Sequence, residues 1–465
     1  MILTFLLVLG WAMIHYWVAV RRYGLLSPDG LFLVSQLVML YGTIQLVDPA
    51  SEVQVFYAKL LAAAVAIYIT ASLFTHLVLA HNEAISAKVR TSYSGYRVTL
   101  VPPTAAILAV VGISILVTVV YFTAVGYSAF LEGLRGQLSG APADIATLRL
   151  ESYAGDAYFF PGYVNQFKNV ILPSLTLILI VWAFNRRGTF ARVASLVLGA
   201  VALLALMATG QRGALVTFLL TSMVYTFLHH RRRLPRAALL MPLGIGLPLM
   251  LLSTYVLARG DGSADSPLRT AITDLGRRFL NDNQASGLAA FVYTADSPVR
   301  YGGEWLQGLA GILPGNRGST LSNEVFAILY GSTRGTSPPS LWGSVHYNFD
   351  TAGLIIFAAL FGVLLQLLTQ RTLRRAHYNS LELVGFSGTT AVLGTWMAGG
   401  IEAPLNVGLV SYLALWYWGS RIGRGYRRSV IVRRQPRPAA ALVTVPSGLS
   451  YRGQHASRHA AFRQI

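Results

Sequence analysis

Apolar residues in this chain come in long runs. Stretches at 2–20, 30–47, 55–79, 99–122, 169–185, 191–209, 213–228, 238–257, 347–369, 383–400 and 405–420 carry few or no charges. A helix rises 1.5 Å per residue, so about 20 apolar residues cross the ~30 Å hydrocarbon layer of a bilayer. The pattern predicts an all-α fold, a polytopic transmembrane bundle of eleven helices. The gaps near 210 and 402 leave room only for tight hairpins. The first run lacks a basic stretch before it and a small-residue cleavage site after it, so it reads as a retained helix.

Two segments break the pattern, 123–168 and 258–346. Loops of that length are usually functional or structured in their own right. Within the second, 268–280 and 285–294 have helical character, and Gly302-Gly303, Pro314-Gly315 and Pro338-Pro339 punctuate the rest. Bundle and loops together take up 1–425. The remainder, 426–465, is basic and contains Pro436, Pro438 and Pro446, and it reads as a flexible tail.

Composition agrees with the runs. The chain of 465 residues is 54% hydrophobic and 12% charged, where soluble proteins carry about 25% charged residues. With no Cys, disulfides, thiolate metal sites and a cysteine nucleophile are excluded.

The net charge of +19 changes the picture only through where it lies. Alternate loops carry Arg21-Arg22, then Lys88, Arg90 and Arg97, then Arg186, Arg187 and Arg192, then Arg231-Arg232-Arg233 with Arg236, then Arg371, Arg374 and Arg375. With ten more in the tail, 25 basic residues fall on one side against Asp29, Glu83 and Glu382. The other side holds 12 basic and 15 acidic residues. Basic loops stay cytoplasmic, so the N-terminus is expected outside, the C-terminus inside, and both long loops outside. The charge is topogenic, and the tail lies against anionic membrane lipids. No nucleic-acid recognition module accompanies it, so nucleic acid is not an expected partner.

Chemistry is therefore sought on the outer side. Arg212 lies in the hairpin Thr209-Gly210-Gln211-Arg212-Gly213, where an outward arginine has no topogenic role. A guanidinium pairs bidentately with phosphate oxygens, so a bound diphosphate would explain it. Snorkelling to headgroups, or a bridge to Glu402, would explain it too. The second loop adds Arg259, Arg269, Arg277, Arg278, Arg300, Arg317 and Arg334, matched in number by Asp261, Asp265, Asp274, Asp282, Asp296, Glu304 and Glu324. Surface ion pairing accounts for most such residues. Arg277-Arg278 stand out on a stretch that faces back to the membrane, where they could hold phosphate together with Arg212. His346 is the single His of the outer loops, and an imidazole can take a proton from a sugar hydroxyl. Asp350 and Glu402 are acids at or inside the same boundary. No GxSxG elbow, HExxH pair or Walker loop occurs, and no metal ligand set is apparent.

The run Gly343-Ser344-Val345-His346-Tyr347-Asn348-Phe349-Asp350-Thr351-Ala352-Gly353 resembles the segment of Wzy-type oligosaccharide repeat-unit polymerases that commonly reads GExYxNFGxxG. Gln211-Arg212-Gly213 is similar to the Arg-Gly turn of that family and of the related O-antigen ligases. Residues 280–314, with Gly303-Glu304-Trp305-Leu306, resemble the family's large periplasmic loop, and Arg300 and Gly311 meet an Arg-x10-Gly spacing found in some polymerases. The resemblance covers roughly 200–370. Ser344 stands where the family has Glu, His346 where it has Tyr, and Asp350 where it has Gly. His346-Tyr347-Asn348 leans toward the ligases.

The resemblance implies a metal-independent, cofactor-free glycosyltransferase of the GT-C type in the bacterial inner membrane. Its donor would be an undecaprenyl-diphosphate-linked oligosaccharide, and a chain-length regulator protein is an implied partner. Catalysis would fall to His346, Arg212 and Asp350, and substrate binding to Arg277, Arg278, Arg300, Glu304, Arg317, Tyr347 and Asn348. A ligase or a lipid-linked glycan flippase is the alternative. A flippase needs charge lining a midbilayer cavity, and these runs have almost none. The topology is checked by a C-terminal reporter fusion. It should be active only in its cytoplasmic form, and activity restricted to the periplasm would contradict the charge pattern.

Overall fold

The computed structural model of the chain describes residues 1–83, 97–139, 147–148, 162–185, 188–210, 212–230, 244, 246–256, 269, 272–273, 276–313, 315–316, 318–333, 335–373 and 377–432. Among these, seven helices are long and apolar enough to cross a membrane: Ile2–Tyr23, Pro28–Leu46, Glu52–Leu79, Ala105–Val125, Tyr163–Asn185, Thr189–Met207 and Leu341–Gln370. The protein is a membrane-embedded, multi-pass helical bundle.

The other four expected spans are helical as well, but shorter or more polar. The run at 213–228 becomes Arg212–His229, with a charged residue at its start and a histidine at its end. Of 238–257, the described helix is Leu247–Val256. The run at 383–400 stops at Gly394 in the helix Ser380–Gly394. The last is Leu409–Val432, which takes in Arg421 and the arginines after it. Among the described residues, strands Arg97–Thr99 and His377–Asn379 pair in parallel, with Val98 opposite Tyr378.

Local chemistry sets several helix ends. Ser27 accepts a hydrogen bond from the Gly30 amide and Pro28 occupies the first helical position. Thr104 and Asn379 cap the Ala105–Val125 and Ser380–Gly394 helices in the same way. Gly126, at φ 82°, closes Ala105–Val125.

Contacts sort the turns onto two ends of the bundle. At one end, Ser128 and Phe130 bond to the Ala208 carbonyl, Gly408 fits against Val170, and Leu280 approaches Gly42. This is the loop end of the bundle. At the other, Gly24 meets Phe227, and the two short strands pair.

Among the described residues, two large apolar cores and two smaller clusters fill the bundle. One gathers Phe32, Tyr68, Trp342, Leu354, Phe361 and Trp396. The other gathers Leu175, Ile178, Leu206, Val224, Phe386 and Tyr412. The Ser380–Gly394 helix is buried over nearly its whole length. A Cβ at Gly388 would lie 1.9 Å from the Tyr412 ring, so its small residues let the Leu409–Val432 helix approach closely.

A polar cluster ties the first helix to the first core. Asp29 is 1% exposed. Its Oδ2 lies 2.9 Å from His15 Nε2, and its Oδ1 accepts from the Tyr68 hydroxyl at 2.5 Å and from Ser72 Oγ at 2.7 Å. The Asp29 amide donates to Thr369 Oγ1 at 3.3 Å. Three helices therefore meet at one carboxylate, and a fourth reaches the backbone of the same residue. Removing one member of a buried pair strands the other and costs about 3–5 kcal/mol, whereas an apolar pair in its place is often neutral. Asp29→Ala should lower the stability of the purified protein by about that amount, and the double change His15→Leu/Asp29→Leu should recover most of it. Unfolding in detergent reads both, and an equal loss in the two variants would contradict the pairing.

Candidate functional site

The helix spanning Leu341–Leu373 is two helices joined at Asp350, the one residue inside it with non-helical angles (φ 58°, ψ −171°). Trp342 and Phe357 meet edge to face with ring centroids 6.1 Å apart. Fifteen residues of unbroken helix would hold their Cα atoms about 22 Å apart. The chain therefore folds back at Asp350, and the arm before it is a re-entrant segment. Its start is held deep in the bundle. Trp342 Nε1 donates to Gln36 Oε1 at 2.7 Å, and the Tyr57 hydroxyl donates to Ser340 Oγ at 2.7 Å. Trp305 clamps the two arms, with its ring against Phe349 and Phe357 and its Nε1 donating to Ser344 Oγ at 2.8 Å.

The angles of Asp350 fall in a region used almost only by glycine, at a cost of about 1–3 kcal/mol. Its Oδ1 accepts from the Thr351 amide at 2.6 Å and lies 3.4 Å from His346 Nε2. Among the described residues, the other non-glycine at positive φ is Tyr301, at 50°. Tyr301 belongs to the same place: the Arg300 amide donates to the Tyr347 carbonyl and the Gly302 amide to the Asn348 carbonyl, at 3.2 and 3.3 Å. Strain of this kind collects at functional sites.

Around the break stand six of the residues expected from sequence. The His346 side chain is 23% exposed, between the rings of Phe291 and Phe56. Arg300 Nε donates to the Tyr347 hydroxyl at 2.9 Å, with its guanidinium over the ring. Asn348 is fully buried, and its Nδ2 donates to Glu304 Oε2 at 3.0 Å. Glu304 is buried in turn. Glu402 lies beside it: Oε1 accepts from the Gly400 amide at 3.0 Å, and Oε2 is buried with no hydrogen-bond partner among the described residues. Burial, and then the Glu304 carboxylate nearby, hold Glu402 above the usual carboxylate range. Arg300 and Tyr347 form a polar rim, His346 and Asp350 face each other across the turn, and Asn348 with Glu304 braces the wall behind them.

The remaining expectations fall elsewhere. Arg212 starts the Arg212–His229 helix at the loop end, half-buried, with Nη2 3.5 Å from the Thr254 carbonyl. Phe218, farther along that helix, belongs to the second core, while Phe291 and Val345 beside His346 belong to the first. No ion pair joins Arg212 to Glu402 among the described residues, so the alternative of a structural bridge has no support. Arg277 is exposed, with Nε 3.8 Å from Asp282 Oδ1. It lies near Leu280, whose carbonyl sits against Gly42 of the Pro28–Leu46 helix. Gln211, Arg259, Asp261, Asp265, Asp274, Arg317, Arg334, the side chain of Arg278 and the tail from 433 onward lie outside the described residues.

Sequence reasoning passed over Lys168, which is completely buried beside Thr209. Its Nζ donates to Asn169 Oδ1 at 2.8 Å and to Thr209 Oγ1 at 3.3 Å. The available signal was one of only three lysines in the chain placed at the edge of an apolar run.

Two substitutions test the break. Asp350→Gly should relieve the strain and raise stability by about 1–3 kcal/mol. Gly353→Ala should lower it, since a Cβ there would lie 2.1 Å from Phe349 Cβ. Denaturant unfolding of the purified protein measures both, and the opposite signs would contradict a reversal at Asp350. Comparison of the chain with protein-family models, with curated proteins and with solved structures gives no match.

Proposed function

We propose that the protein is a polysaccharide repeat-unit polymerase. It transfers a glycan from undecaprenyl diphosphate to a sugar hydroxyl of a lipid-linked acceptor, at the periplasmic face of the bacterial inner membrane. The observation that carries this reading is the strained helix break, which puts His346, Asp350, Arg300, Tyr347, Asn348 and Glu304 together. The same segment bears the resemblance to the polymerases. In this reading the chain crosses the membrane eleven times, N-terminus out and C-terminus in, and the loop end is periplasmic.

The chemistry needs few parts. Diphosphate is a good leaving group once its charge is neutralised, so fixed arginines serve without a metal. Arg212 holds the donor diphosphate, and the exposed Arg277, with Arg278 and Arg317, adds positive charge on the loop. His346 takes the proton of the acceptor hydroxyl as its oxygen forms the bond to the anomeric carbon. The bond from that carbon to the diphosphate oxygen breaks, and the electron pair leaves with the diphosphate. Asp350 stabilises the imidazolium formed. Arg300 and Tyr347 hold sugar hydroxyls, while Asn348 and Glu304 fix the wall. A chain-length regulator is the protein partner this reading calls for.

One observation favours a second reading. An imidazole stands where the polymerases have Tyr, which suits a ligase that passes finished glycan to another acceptor. A deletion strain separates the two on a polysaccharide gel: a single repeat unit on an intact acceptor marks a polymerase, free polymer on the carrier a ligase. Within either reading, Arg212→Ala should lower turnover by roughly 10²–10³-fold. Arg212→Lys should restore it only in part, because the ammonium lacks the bidentate fork. Normal membrane levels of Arg212→Ala with full-length polymer would sink the diphosphate assignment.

A further inference from the structure

Two carboxyl groups share the wall behind the helix break. Glu304 is 7% exposed, and its Oε2 accepts from Asn348 Nδ2 at 3.0 Å. Glu402 approaches from the hairpin near 402. A Cβ at Gly308 would lie 3.0 to 3.1 Å from Glu402 Cγ, Cδ and Oε2, and Gly308 stands one helical turn from Glu304 on the same face. Both acids also border Trp305. The Trp305 amide donates to Asn348 Oδ1 at 3.4 Å, while Trp305 Nε1 and Glu402 Oε2 each lie 2.6 Å from the point a Gly400 Cβ would occupy.

Neither acid makes an ion pair among the described residues. Glu402 Oε1 accepts from the Gly400 amide, but Oε2 is buried with no hydrogen-bond partner. The indole N–H beside it donates instead to Ser344 Oγ at 2.8 Å. The surrounding ionisable groups are engaged elsewhere. The 300–302 turn brings Tyr301 and Arg300, whose guanidinium lies over Tyr347. The re-entrant arm brings His346 and Asp350, which face each other. The Gln166–Ile171 turn, bonded to the Leu405 and Asn406 carbonyls, brings Lys168, which donates to Asn169 and Thr209. Residues 395–401 and 403–407 hold no ionisable side chain, and Arg317 lies outside the described residues. Two ionised carboxylates in one buried wall repel, and pairs so placed keep a proton between them.

We propose that Glu402 is a positioning residue: its Oε2 carries a proton shared with Glu304, and the pair, with one negative charge, holds Asn348 in place. Glu304 is the member that keeps the charge, because it accepts from an amide nitrogen that can only donate. Asn348 in turn supports the strained turn at Tyr301, since its carbonyl accepts from the Gly302 amide at 3.3 Å. Loss of the shared proton puts two negative charges in the wall, loosens Asn348 and releases the turn that presents Arg300. Burial, and then the Glu304 carboxylate, raise the Glu402 pKa. The stability the shared proton contributes is therefore complete at acidic pH and is lost as pH rises through the raised value. The pairing does not depend on the identity of the substrate.

Purified full-length protein in detergent is followed from acidic to alkaline pH by three measurements. These are unfolding, hydrogen exchange of the 300–306 segment corrected for intrinsic rate, and the infrared carbonyl stretch of protonated carboxylic acids. Wild type should show a carboxylic-acid band at neutral pH that Glu402→Gln removes. The Gln amide stands in for the protonated acid. Relative to that variant, wild type should lose stability and 300–306 protection as pH rises, by up to about tenfold per pH unit in each equilibrium constant, the slope of one proton. Glu304→Gln removes the neighbouring charge, so in it the Glu402 band should persist to a higher pH no longer and vanish earlier than in wild type. That variant decides if Glu402→Gln does not fold. A Glu402 already ionised at neutral pH, parallel pH curves for wild type and Glu402→Gln, or a band unmoved by Glu304→Gln would each overturn the pairing. None of these readouts needs substrate, so failure here leaves the polymerase reading standing. A protein that shows the shared proton and makes no polymer overturns that reading alone.

Discussion

The reversal at Asp350 is the constraint on which the loop end depends. A helix carried straight through this position would take Trp342 and Ser340 out of the bundle. It would also leave Gln36 and Tyr57 without their hydrogen-bond partners. The break instead sends a short arm back among the helices, where the Leu341 amide reaches the Met397 carbonyl and Ser340 bridges to Ala398. Two carbonyls at the end of that arm, those of Tyr347 and Asn348, are then satisfied by the Arg300 and Gly302 amides. One backbone geometry thus accounts for the position of His346, the course of the second loop and the burial of Asn348.

Aspartate is a costly choice for that geometry. Glycine is the residue these angles favour. Aspartate gives a carboxylate 3.4 Å from an imidazole and a cap for the following helix. Stability is given up locally for a carboxylate at the candidate site, next to the first core, where Phe357 meets the rings of both Trp342 and Trp396.

Much of the fold was legible in the sequence because membrane-spanning helices announce themselves by apolar length. The runs at 30–47 and 191–209 correspond to Pro28–Leu46 and Thr189–Met207 within two residues, while that at 169–185 ends with Tyr163–Asn185 but starts six residues late. The re-entrant arm was not legible. Leu341-Trp342-Gly343-Ser344-Val345 is too short to register as a span, and its depth is set by partners such as Gln36, some 300 positions away in sequence. The short parallel strands were missed for the same reason, since each pairs only with a segment far along the chain. At the site, the motif placed His346, Tyr347, Asn348 and Asp350 together. It could not show that Glu304 braces Asn348, or that Arg277 lies by the Pro28–Leu46 helix. Lys168 escaped notice because a lysine at the edge of an apolar run looks like a boundary residue until its burial is seen.

Glycosyl transfer from a lipid diphosphate is tested most directly in liposomes containing only the purified protein and an undecaprenyl-diphosphate-linked oligosaccharide. Product length and released undecaprenyl diphosphate are measured together. Polymerisation yields a ladder with single-repeat spacing and one undecaprenyl diphosphate released for each glycosidic bond formed. Movement of intact lipid-linked oligosaccharide across the bilayer, with no ladder and no released diphosphate, would contradict it.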